Sequence, residues 1–203
     1  MTEWLIRHFV NDHKNVQDAT ARIAYGSLAG KIGIICNLLL VAGKLAVGFI
    51  SSSVSIIADG LNNLSDAIGS LIALAGFKAA SKTADAEHPF GHGRFEYISG
   101  LAVAVLVLVI GIEIGKSSIE KIISPTSTTF GFAGFAVLTA SILLKIWMAL
   151  FNRSLGKRIH SATLQAVSAD SRNDAIATTV VLLAAAVSHF TGVNLDGWLG
   201  LGV

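Results

Sequence analysis

Five apolar stretches, each close to the ~20 residues that carry a helix across a bilayer, fill most of this chain and leave it few alternatives. They run over about 29–50, 54–77, 95–119, 130–151 and 162–189, and a sixth begins at about Leu195. Both prolines, Pro89 and Pro125, fall between stretches, as uninterrupted helices require. The fold class is therefore all-α and polytopic. Composition agrees: 53% of the residues are hydrophobic and 14% are charged, against about a quarter charged in a soluble domain, with a mean hydropathy of +0.67. A net charge of +2 is too small to suggest a nucleic-acid partner, and the single cysteine, Cys36, excludes an intrachain disulfide.

Lysine and arginine placement sets the expected orientation. With the N-terminus inside, the inner side receives Arg7, Lys14, Arg22, Lys31, Lys78, Lys82, Arg94, Arg153, Lys157 and Arg158, and the outer side only Lys116 and Lys121. Lys44, Lys145 and Arg172 fall within spans. The Ser51–Ser53 turn and residues 126–129 are then extracytoplasmic. Residues 1–25 lack the apolar run of a signal peptide; they read either as a cytosolic surface helix with Trp4, Leu5 and Phe9 on its apolar side, or as a tail. The stretch from Leu195 to Val203 is too short to span, which points to a longer parent chain.

Carboxylates inside hydrocarbon cost roughly 2.5–3.5 kcal/mol each even on lenient insertion scales, so those that occur there need a reason. The second span carries Asn62 and Asp66, the fifth Asp170 and Asp174. Each pair is four residues apart, which on a helix stacks two side chains on one face. Antiparallel spans can face these pairs toward each other, and a divalent cation between them would relieve the repulsion of three carboxylates. The alternative is interhelical hydrogen bonding or a salt bridge to Arg172, which lies two positions from both acids and so on another side of the helix. Asp59, seven residues before Asp66, lines an exit path, supports the site as an acid behind the ligands, or sits at the polar outer boundary. Asn37 and Lys44 read as packed against neighbours, and Glu113 carries no assignment.

Between the second and third spans lies Asp85-Ala-Glu-His88-Pro-Phe-Gly-His92-Gly-Arg94-Phe-Glu96. Asp85, His88 and His92 form a compact oxygen–nitrogen set suited to a transition metal. The alternative is a polar, glycine-rich loop whose histidines meet water.

That histidine loop, set after an acidic second span and before a fifth span with paired ligands, resembles the cation diffusion facilitator family. The Ser55-to-Asp66 segment behind the serine-rich turn is similar as well. The resemblance implies a six-helix transmembrane domain over 26–203 with its sixth helix only begun. It further implies a homodimer in the plasma (inner) membrane and a soluble C-terminal metal-sensing domain absent from this sequence. Its activity would be export of a divalent cation by alternating access, in exchange for protons, and not enzymatic. By motif, Asn62, Asp66, Asp170 and Asp174 take the transport site, Asp85, His88 and His92 a peripheral cytosolic site, and Arg94 a basic position that interlocks helices.

One departure bears on the cargo. Zinc-carrying relatives place a histidine in the transmembrane quartet, typically where this chain has Asp170. Here all four side chains offer oxygen, which suits Mn²⁺ and other hard cations, whereas zinc favours nitrogen and sulfur. The quartet resembles the manganese-exporting branch, and Mn²⁺ is the expected cargo, with Zn²⁺, Fe²⁺, Co²⁺ and Cd²⁺ as alternatives. A cation channel or an intramembrane aspartyl protease also places acids on facing helices. A protease needs one reactive pair and a Gly-x-Gly-Asp pattern that the quartet lacks; saturable transport separates a carrier from a channel.

Overall fold

The computed structural model describes residues 2–9, 19–80, 94–124, 131–191 and 195–202, and every regular element among them is helical. In chain order these are α1 (Thr2–Phe9), α2 (Ala19–Ser51), α3 (Val54–Ala80), α4 (Arg94–Ile123), α5 (Phe132–Arg158), α6 (Ala162–Thr191) and α7 (Asp196–Gly202). Three helices are long and apolar enough to cross a membrane on length and composition, within Ala24–Ser51, Phe132–Arg158 and Thr163–Thr191. α3, interrupted by its own polar residues, has 27 residues and α4 has 30. At 1.5 Å per residue each exceeds the ~30 Å hydrocarbon layer. α2, with 33 residues, rises about 50 Å and extends beyond it.

α2 packs along both α3 and α5, α5 along α6, and α3 touches α6; α4 pairs with α7, and both lean on α3. The outward faces are apolar: Leu39, Phe49, Leu143, Leu150, Ile176 and Leu183 are all exposed. In water these would be a liability; against acyl chains they are the expected solvent-facing side of membrane helices.

Two apolar clusters close the ends of the α2–α3–α5–α6 bundle. One gathers Ile6, Tyr25, Leu28, Ala29, Phe151, Leu155, Ile159 and Leu164 from α1, α2, the end of α5, the turn after it and the start of α6. The other gathers Ile56, Leu138, Val181 and Ala185 at the opposite end. The N-terminal segment therefore enters the first cluster through Ile6, which is fully buried, whereas Trp4 is 62% exposed and stacks on His8.

The α2–α3 hairpin turns on Ser52, whose φ of 52° lies in the left-handed region. The Ser53 amide donates back to the Gly48 carbonyl at 2.9 Å, closing the helix end with the ring that stops helices of this kind. Gly48 is required there. A Cβ on it would sit 2.7 Å from Ile57 Cγ1 and 3.1 Å from the Ile57 amide nitrogen, so the two helices meet only because that position is bare. Asp196, at the start of α7, caps α3 from outside. Its carboxylate accepts from the Val54 amide (2.7 Å) and the Ser53 and Ser55 hydroxyls (2.5 Å each), and pairs with Lys121 of α4 at 2.8 Å. The Lys121 ammonium also donates to the Ser52 carbonyl. One carboxylate thus ties three helices together, and satisfies α3 amides that have no intrahelical acceptor.

Candidate metal centre

α3 and α6 come together midway between the two apolar clusters, and there they place the four oxygen-bearing side chains singled out in the sequence. The Asn62 amide donates to Asp174 Oδ1 at 3.0 Å across the helix interface. Asp66, one turn along α3, faces Asp170 and Asp174, and carboxylate oxygens of the three acids lie within 4.8 Å of one another. Helical spacing explains the stacking within each pair; the contact of α3 with α6 supplies the rest. Asp174 is buried, Asp66 partly so, and Asn62 and Asp170 are exposed, so the cluster has an open side. Arg172 makes no ion pair among the described residues. It lines a separate cleft of about 410 Å³ between α5 and α6, with Arg153 and Lys157.

A fifth residue belongs to the cluster. Lys145, on α5 and 1% exposed, places its ammonium 2.9 Å from Asp66 Oδ2 and 2.5 Å from Asp174 Oδ2. Sequence reasoning placed Lys145 in a span without giving it a partner. The signal was the desolvation cost already applied to the acids, since a lysine within a span also needs a counter-charge.

The second span's other acid is held differently. Asp59 Oδ2 pairs with the Lys44 ammonium at 2.7 Å, the two side chains being 2% and 0% exposed. The Thr178 hydroxyl donates to the same oxygen at 2.9 Å and accepts from Lys44 at 3.1 Å. Asp59, expected along an exit path, behind the ligands or at the outer boundary, lies in a closed triad joining α2, α3 and α6. Asp85, His88 and His92 lie outside the described residues. Arg94 is the first residue of α4, and its side chain lies outside the description too.

Charge separates the cluster from the other buried ionic groups described. Asp59 is matched by Lys44 and Asp196 by Lys121, one cation to one anion. In the cluster three carboxylates face one ammonium, so a formal charge of −2 is left uncompensated. Like charges held this close repel one another, and a single divalent cation on the open side of the cluster would balance them. The three carboxylates offer hard oxygen atoms, and Asn62 turns its amide nitrogen to Asp174.

Comparison with known proteins identifies the family. Residues 30–203 match the cation efflux transmembrane domain. The chain belongs to the cation diffusion facilitator family. It is similar to an uncharacterized transporter of Methanocaldococcus jannaschii, with 35% identity over 78% of this chain and 56% of that one. It is similar also to the manganese efflux system proteins MneS and MneP of Bacillus subtilis. MneS is 30% identical over 83% of this chain and 59% of its own, and MneP 28% identical over 82% and 55%. The chain thus spans between half and three-fifths of the length of these relatives. Family members of this kind move divalent metal cations across membranes and are transporters rather than enzymes.

Proposed function

We propose that this chain is the transmembrane part of an exporter that carries Mn²⁺ out of the cytosol. The supporting observation is the −2 cluster of oxygen donors shared by α3 and α6. Asp66, Asp170 and Asp174 supply carboxylate oxygens and Asn62 its amide carbonyl, with waters completing the shell. Two manganese efflux proteins among the relatives point to the same cargo.

Asn62 and Asp66 ride on one helix and Asp170 and Asp174 on another. Relative motion of α3 and α6 therefore changes both the geometry of the site and its exposure, which is the requirement for alternating access. In the proposed cycle Mn²⁺ enters from the cytosol past Asp85, His88 and His92, binds the quartet, and leaves when the site opens outward. Protons moving inward drive the exchange. The N-terminus is cytosolic, the protein sits in the plasma membrane as a homodimer, and Arg94 interlocks helices.

The test is Mn²⁺ uptake into inside-out proteoliposomes by the full-length protein and by Asp66→Ala and Asp174→Ala. Both variants are expected to elute as folded protein and to transport nothing. Normal transport by either would remove the site from the proposal.

A further inference from the structure

Lys145 is the cluster member that the proposed transport site does not use. It is buried and comes from a third helix, and its ammonium bridges one carboxylate of α3 and one of α6. We infer that Lys145 is the resident counter-cation of the transport site, standing between Asp66 and Asp174 where the divalent ion binds, so that metal enters by displacing it. This inference rests on the assignment of the quartet as the transport site.

Two observations carry it. The first is spatial. A metal ion bonded to Asp66 Oδ2 and Asp174 Oδ2 would sit about 2.0–2.2 Å from each. The ammonium holds those same two oxygens at 2.9 and 2.5 Å. The two cations compete for the same lone pairs and the same space, and the flexible four-carbon stem lets the ammonium withdraw.

The second is the charge count. Asp66, Asp170 and Asp174 with Lys145 sum to −2, so a divalent ion brings the loaded site to neutrality while Lys145 keeps its charge. A trivalent ion would overshoot. Lys145 therefore sets the ionic charge the site accepts, and it holds α3 and α6 together when no metal is bound. No change in the protonation of any group is invoked.

The experiment measures calorimetric binding of Mn²⁺ alone, and separately of La³⁺ alone, to the full-length protein in detergent micelles. Lys145→Met, Lys145→Gln, Lys145→Arg and Asp66→Ala are compared with the parent, each checked for fold by size exclusion. Removing the ammonium is expected to tighten Mn²⁺ binding at least tenfold in the Met and Gln variants, and La³⁺ binding by a larger factor. The Arg variant, still cationic, stays within threefold of the parent. A lysine with a merely structural role predicts the opposite sign, because loosening the site weakens binding. Unchanged or weaker Mn²⁺ binding in the Met and Gln variants, with binding abolished in Asp66→Ala, overturns the inference and leaves the site standing. Undiminished binding in Asp66→Ala overturns the site assignment itself.

Discussion

Removing the Lys44 ammonium while leaving Asp59 in place breaks a fully buried ion pair away from the acidic cluster. The two charges are 2.7 Å apart with essentially no exposure. At an effective dielectric of about 20 their attraction is about 6 kcal/mol, offset by a desolvation cost of several kcal/mol per ion. The pair as a whole is therefore close to neutral for stability. Breaking it is not, because Lys44→Met leaves Asp59 buried with only the Thr178 hydroxyl to face. We expect Lys44→Met and Asp59→Leu each to cost about 3–5 kcal/mol, and the double variant to recover most of that loss. The assay is equilibrium unfolding by SDS titration in mixed micelles, followed by circular dichroism and read as a double-mutant cycle. Single variants within about 0.5 kcal/mol of the parent, or strictly additive losses, would refute the account of a mutually dependent buried pair.

Two further outcomes follow from the packing. Gly48→Leu is expected to destabilise by about 1–3 kcal/mol in the same titration, since its Cβ alone would meet Ile57 at 2.7 Å and overpacking carries that cost. Asp196→Ala strips the cap from α3 and leaves the Lys121 ammonium buried without its acid. A loss of about 3–5 kcal/mol is expected, with faster hydrogen exchange at the Val54 and Ser55 amides as the local signature.

The parts of this structure that were legible in the sequence are those that depend on one helix at a time. Apolar length gave the all-helical fold, and the spacing of Asn62 with Asp66 and of Asp170 with Asp174 gave each pair a shared face before any helix was placed. What escaped depends on which helices cross. Lys145 meets Asp66 and Asp174 only because α5 packs beside α6 and α6 reaches α3. No periodicity within the fourth span announces that. The Lys121–Asp196 pair likewise needs α4 against α7.

Lys44 and Asp59 are a different case. They stand at nearly equal distances from Ser52 on the two arms of a helical hairpin, so they share a depth, and the pairing follows from the turn. At the N-terminus Ile6 is buried and Trp4 exposed, while the side chains of Leu5 and Phe9 lie outside the description. A neighbour, here the Tyr25 and Leu155 cluster, decides which face of a short helix is inside.

The most direct test of the central claim is competition transport in proteoliposomes, offering Mn²⁺, Zn²⁺, Fe²⁺, Co²⁺ and Cd²⁺ to the full-length protein and to Asp170→His. An all-oxygen quartet predicts that the parent prefers Mn²⁺ and that the histidine variant gains Zn²⁺ transport. A parent that already carries Zn²⁺ best, with no gain from the histidine, would contradict the claim that these oxygen donors select the metal.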